Sequence, residues 1–491
     1  MRKHTLKRTP GLARRLALAI ALAACPALLP AAEQPAPSTR VDLFGVYLEA
    51  MRNNADLAAA RADYEARKEA VPQARSALLP QLNGGANLAD SRTQLDQPAL
   101  DLERSGLLYQ ASLSQALIRA DRWFQLQAAK AVSSQAALEL SAVEQNLILQ
   151  SAEAYFGVLR AQDTLAATRA EEAAFQRQYE QASARFEVGL SDRTEVLETQ
   201  AGRDTARANR LIAERRVEDA FQALTTLTDR QYRFVEGIRH ELPINPPAPN
   251  EPDSWVDTAM QRNILLQASA YAVSGAEQTL RQRKAGHAPT LDLVAQYQKG
   301  DNDSLGFTNS GLGVGPSYSG DAEQQSIGLQ LNIPLFSGGL TSSQVREAYQ
   351  RLSQSEQLRE SLRRQVVQNT RDSHRAVNSA VSQVEARKQA IVSSSSALEA
   401  TQLGYEVGTR NVVDVLDAQR QLYSAVRLYN EARYGYLLEQ LRLKQAAGIL
   451  SPDDLQELSP WLKPDYDPDR DFLPPMDSGA SDGQPGSATQ G

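Results

Sequence analysis

Four short stretches alternate strictly between apolar and polar positions. In Leu82-Asn83-Gly84-Gly85-Ala86-Asn87-Leu88 the odd partners are polar or glycine, and Leu107, Tyr109, Ala111 and Leu113 are separated by Gln110 and Ser112. The same pattern returns at Leu291-Leu293-Ala295-Tyr297 and at Ile327-Leu329-Leu331-Ile333. A period of two predicts strands with one apolar face, here near 80–90, 107–117, 289–298 and 325–335. Each is close to the ~9–11 residues that a tilted strand needs to cross a bilayer. Ordinary sheet strands covering a core give the same pattern. Between and after the strands the period changes to threes and fours: Leu140, Val143, Leu147, Ala154, Val158, Ala161 and Leu165, then Val377, Val381, Val384, Ile391 and Leu398. This narrow seam suits coiled-coil pairing or a soluble bundle. Proline is absent between Pro98 and Pro243 and between Pro334 and Pro452. Interior proline costs about 3 kcal/mol, so such runs favour long helices. Helices are expected over 122–188, 192–230, 341–404 and 410–447, the longer ones reaching ~100 Å at ~1.5 Å per residue.

The chain repeats itself. Ala50-Met51-Arg52-Asn53-Asn54 returns 209 positions later as Ala259-Met260-Gln261-Arg262-Asn263, and Pro80-Gln81-Leu82 as Pro289-Thr290-Leu291. Leu113 and Leu117 answer Leu331 and Leu335, 218 positions later, and Phe186-Glu187-Val188-Gly189 answers Tyr405-Glu406-Val407-Gly408 at 219. The offset grows between Leu82 and Leu113, so the second copy carries a longer insertion there. Two copies of one unit, 33–241 and 254–450, are thus joined by a Pro-rich linker, 242–253. The polar 451–491 tail is expected to be disordered. Four strands do not close a membrane barrel, whose smallest forms have ~8, and open edges are not tolerated in hydrocarbon. Spanning strands would have to be pooled, eight from a dimer or twelve from a trimer.

Composition narrows the function. Of 491 residues, 42% are hydrophobic, only 6% aromatic, and one is cysteine. A disulfide framework or cysteine-rich metal site is excluded. Mean hydropathy is −0.43, which excludes a multi-span helical membrane protein. The net charge of −7 argues against nucleic acid as a partner. Residues 1–32 read as a secretory signal: six basic residues (Arg2, Lys3, Lys7, Arg8, Arg14, Arg15), an apolar run from Leu16 to Ala24, then small residues. Its removal takes the charge from −7 to −13. Leu22-Ala23-Ala24-Cys25 also fits a lipoprotein cleavage site, making Cys25 a lipidation candidate. No nucleophile elbow, HExxH or P-loop occurs, and the GxGxG at 311–315 lacks a strand–turn–helix setting. No catalytic residue, metal or cofactor is expected, and the chain is not read as an enzyme.

These residues resemble the TolC-type family of outer-membrane efflux and secretion channels over about 41–463. The likeness is most specific in YEVGTRNVVDVLDAQ (405–419), then in LNIPLFSGG (331–339) and ARYGYLLEQL (432–441). The exit from the second strand departs from the family's aromatic-then-Asp pattern at Ile118 and Arg119, although Trp123 fits. The resemblance implies an α+β membrane protein: a homotrimer with a 12-stranded outer-membrane β-barrel, continued through the periplasm by a long α-helical barrel. It further implies that Asp414 and Asp417 form carboxylate rings at a periplasmic gate. Tyr405 and Arg410 would lock that gate through Thr194 and Glu195. The hairpin tips at Gly189 and Gly408 would meet a periplasmic membrane-fusion adaptor, itself coupled to an inner-membrane ABC or RND-type pump, with outer-membrane lipid around the strands. On spacing alone, Asn411-x-x-Asp414 and Asp192-x-x-Glu195 also read as helix capping boxes. An exported coiled-coil adaptor and a trimeric surface adhesin are the alternative readings.

Overall fold

The structure is a computed structural model in which residues 40–96, 99–301 and 321–475 are described. The signal segment, Cys25, most of the 300–324 loop and the last residues of the tail lie outside the described residues. The first copy opens with three short helices, α1 (Leu43–Asn53), α2 (Ala55–Lys68) and α3 (Ala70–Ser76). Strands β1 (Gln81–Asp96) and β2 (Ala99–Ile118) follow, then the 68-residue α4 (Ala120–Glu187) and α5 (Arg193–Thr228). After β3 (Gly237–Ile238), the second copy supplies α6 (Pro252–Arg262), α7 (Ile264–Lys284), β4 (Thr290–Asp301), β5 (Asp321–Asn332), the 67-residue α8 (Leu340–Glu406) and α9 (Val412–Ala446). At ~1.5 Å per residue α4 and α8 each extend about 100 Å. Among the described residues no helix is long and apolar enough to cross a membrane.

The four long strands form one antiparallel sheet in the order β1-β2-β4-β5, so β1 and β5 each pair on one side only within the chain. Its register lines up the alternating patterns. Leu82, Leu113, Ala295 and Ile327 form one row, while Asn83, Ser112, Gln296 and Ser326 form the row on the opposite face. Gly85, Gln110, Gln298 and Gln324 continue the polar face. The apolar face is open: Leu82, Leu88, Ile327 and Leu329 are all exposed. The β1–β2 hairpin runs beyond the expected 80–90 and 107–117 strands. Ser91-Arg92-Thr93-Gln94 carries no apolar alternation, yet the backbone ladder continues through it.

At the foot of the sheet the register shifts between Ala116 and Ile118. This is where the Ile118-Arg119 sequence departs from the family pattern. Arg119 donates to Asp292 of β4 at 2.9 Å and to Asp121 at 3.3 Å, tying the strand–helix junction of one copy to the other.

Duplication is visible in the caps. Asn54 and Asn263 each begin a helix, accepting from Leu57 N at 2.8 Å and Leu266 N at 3.0 Å. Each amide also closes the end of a long helix, Asn54 on the Leu227 carbonyl and Asn263 on the Ala446 carbonyl at 3.1 Å. One side chain thus satisfies a helix N-terminus and a helix C-terminus at once. Asn263→Ala is expected to cost about 1–2 kcal/mol, read as a lower midpoint in thermal unfolding of the detergent-solubilised chain. Asn263→Asp, which keeps only the N-cap, should fall between.

The expectation of a disordered tail after Ser451 does not hold for its described part. Residues 451–475 fold as α10 (Asp453–Gln456), β6 (Leu462–Lys463) and α11 (Pro468–Asp471), with β6 pairing antiparallel to β3. Its polar composition hides four well-spaced anchors: Leu455, Leu462, Tyr466 and Phe472 are all buried in the main core. That core joins α1, the middle of α4, α8 and α9, and this strap.

Candidate functional site

The two long hairpins turn at Gly189 and Gly408, whose φ angles of +74° and +77° are those that a side chain disfavours. Each turn is closed by helix-end hydrogen bonds: Gly189 N and Leu190 N to the Phe186 and Arg185 carbonyls at 3.0 and 2.8 Å, and Gly408 N and Thr409 N to the Tyr405 and Gly404 carbonyls at 3.1 and 2.8 Å. The tips are apolar and open to solvent, with Val188, Leu190 and Val407 each at least 70% exposed.

Just above the tips the two hairpins meet. Tyr405 donates to Glu195 Oε1 at 2.5 Å and accepts from Arg185 Nη1 at 3.0 Å. The Arg185 guanidinium also lies 5.2 Å from the centre of the Tyr405 ring. Partial burial and the adjoining Glu195 carboxylate push the Tyr405 hydroxyl up to about 12, so it remains a proton donor at physiological pH. Arg185 was not singled out by the sequence. Its only signal is a basic residue one turn before the first tip.

The other expected residues are placed differently. Thr194 is exposed. Arg410 is also exposed and reaches Asp414 of its own hairpin at 3.9 Å, so within the chain the structure does not bring it to Thr194 or Glu195. Its aliphatic stem packs where a side chain on Gly404 would sit, 2.8 Å from the position a Cβ would take. Asp417 pairs with Arg420 at 2.6 Å, and the Arg420 guanidinium stacks 5.5 Å from the Phe175 ring of the first hairpin.

Of the two capping boxes, one is complete. Asn411 accepts from Asp414 N at 2.9 Å, and Asp414 accepts from Asn411 N at 3.3 Å. Asp192 likewise accepts from Glu195 N at 2.8 Å, but the Glu195 carboxylate turns to the Ser191 hydroxyl and to Tyr405. Glu195 has therefore left capping for the contact between hairpins. Among the described residues no group of three or more His, Cys, Asp or Glu side chains could hold a metal ion.

Paired helices of about 100 Å, a sheet with one exposed apolar face, and a bonded junction just above the helical tips are the parts of a membrane-anchored duct. The outer membrane efflux protein family model matches residues 46–230 and 255–449, one match per copy, and the chain belongs to that family. It is 35% identical to the outer membrane protein TolC of Vibrio cholerae, over 86% of this chain and 94% of that protein. It is 27% identical to the alkaline protease secretion protein AprF of Pseudomonas aeruginosa, over 84% of this chain and 86% of that one. Among solved structures, the outer membrane protein VceC of Vibrio cholerae superimposes with a TM-score of 0.70 at 18% identity, covering 83% of this chain and 96% of that chain. The chain is an outer-membrane exit duct of the kind that serves efflux or secretion.

Proposed function

We propose that three copies of this chain pool their sheets into a 12-stranded barrel in the outer membrane. Their helices form one periplasmic tube, closed at its tip until a partner opens it. The observation that carries this reading is the sheet itself. Its apolar rows are exposed and aligned across four strands, and each outer strand has an unused edge. Exposed edges and apolar rows are compatible with hydrocarbon only if β1 of one copy pairs with β5 of the next. Native mass spectrometry of the processed protein in detergent should give a trimer, and planar-bilayer recordings should give a conducting pore. A water-soluble monomer would overturn the proposal.

At the tip, Asp414 and Asp417 stand three residues apart on one helix face, and three copies would present two carboxylate rings to the axis. Arg410 and Arg420 partly offset these charges within each copy. Trivalent cations added on the periplasmic side are expected to block the pore, with Asp414→Ala plus Asp417→Ala abolishing the block. Block that persists in the double variant would place the cation site elsewhere. The exposed apolar tips at Gly189 and Gly408 would receive a periplasmic membrane-fusion adaptor, with an inner-membrane ABC or RND-type pump supplying the energy. The likeness to a protease secretion protein and to TolC supports such a partner.

A further inference from the structure

We propose that the C-terminal strap sets the fulcrum of the hairpins: it clamps α4 to α9 at Asp163 and Tyr434, so that the segments below flex as levers. The strap is held from three directions. The Tyr466 hydroxyl donates to the buried Asp163 carboxylate of α4, which also accepts from Tyr434 of α9 at 2.8 Å. Arg40, at the start of the described chain, grips the Pro464 and Tyr466 carbonyls at 2.6 and 2.8 Å. Asn430 of α9 donates to the Phe472 carbonyl at 2.8 Å.

Immediately below the clamp the packing changes. On α4 the main core reaches no further than Ala170, on α8 no further than Ile391, and on α9 no further than Leu422. Lower down, a separate and smaller cluster joins the hairpins, with Phe175, Ala206, Val412 and Leu416 buried and Tyr405 and Val413 packed against them. At the lower rim of the main core stand ion pairs, among them Arg427 of α9 to the buried Glu171 at 3.1 Å and Arg210 of α5 to Glu172 at 2.5 Å. A long helix pair that is fixed at one level and thinly packed beneath it bends at that boundary, because local opening follows the loss of buried contacts. The clamp determines where that boundary falls. Tip opening would use this lever, so its functional meaning rests on the duct reading, but the mechanical claim does not.

Hydrogen–deuterium exchange of the full processed chain in detergent tests it. In the unaltered protein, amides of 172–205 and 400–421 should exchange at least about tenfold faster than those of 140–165 and 430–445, with the step near Glu171 and Leu422. Tyr466→Phe, and independently Asp163→Asn, should carry the step upward. Segments 160–171 and 422–434 should then exchange about tenfold faster, while tip rates stay unchanged. Arg40→Gln, which frees the two strap carbonyls and gives up the guanidinium's place 5.7 Å from the Phe234 ring, supplies the same readout where a core variant fails to assemble. Ser151→Ala is the control, since it deletes another buried hydroxyl contact on α4, to the Leu147 carbonyl at 2.7 Å, without touching the strap. A step that stays at 171 and 422, a uniform rise along both helices, or an equal shift in the control would overturn the fulcrum. A chain that forms no channel in bilayers but shows the shifted step would instead overturn the duct reading alone.

Discussion

Tyr405→Phe combined with Arg410→Ala is expected to raise single-channel conductance in planar bilayers, with Tyr405→Phe supplying most of the gain that arises within a protomer. The Tyr405–Glu195 bond is charge-assisted and partly buried, a type worth about 1.5–3 kcal/mol. Its loss shifts a closed–open equilibrium by a factor of about 10–100 in each copy. Arg410, exposed and 3.9 Å from Asp414, stabilises little inside its own chain. Its removal acts chiefly through contacts that a neighbouring copy would make. Arg185→Gln should behave as a milder Tyr405→Phe, because it removes both the hydrogen bond and the ring stacking that aim the hydroxyl at Glu195. Since Tyr405 stays protonated up to about 12, the lock should not weaken through tyrosine ionisation at pH 8 or 9. Unchanged closed-state conductance in Tyr405→Phe would remove this contact from the gate.

Much of the helix-and-sheet architecture was legible because it rests on periodicities the chain cannot hide. A strand with one apolar face must alternate, and a 68-residue helix must exclude proline. The duplication was legible from short matches whose structural reason is now visible. Asn54 and Asn263 recur because each caps two helices at once. The strap was not legible. Its anchors are single apolar residues among Asp and Pro, and only the three-dimensional core shows that Leu462, Tyr466 and Phe472 are buried together. Glu195 was ambiguous for a related reason. A capping glutamate and a glutamate reaching a second hairpin have the same sequence spacing, and the choice depends on where Tyr405 lies. Arg119 looked like a departure from a family pattern. It becomes intelligible only with Asp292, 173 positions away, as its partner.

Stability of the strap region should be nearly flat between about pH 4 and 6.5 in the unaltered protein, and should tilt in opposite directions in two single variants. Burial raises the Asp163 carboxyl to about 6, against the hydrogen bonds from Tyr466 and Tyr434 and the charge of Arg433, with Asp471 adding to the rise. The folded chain therefore keeps a proton up to about pH 6 that the unfolded chain releases near 3.8, and stability falls as pH rises across that window. His240 does the reverse. Burial and the adjacent Arg433 lower it to about 4, while the backbone carbonyl of Asp471 and the charges of Glu241 and Asp471 resist. The unfolded chain takes up this proton near pH 6.5, so stability falls as pH drops from there to about 4. Each group shifts by about two units, on the order of 3 kcal/mol across its window, and the two windows overlap. His240→Gln leaves Asp163 alone, so thermal stability should increase on acidification from pH 6.5 to 4. Asp163→Asn leaves His240 alone, so stability should decrease over the same range. Parallel slopes in the two variants would show that neither group titrates as its surroundings require. Arg433 joins the pair: it donates to His240 Nδ1 at 3.0 Å and to the Arg239 carbonyl at 2.6 Å, so Arg433→Met should relieve the pressure on His240 while removing a charge that steadies the Asp163 carboxylate. The wild-type balance would then tilt toward greater stability in acid, read by the same scan.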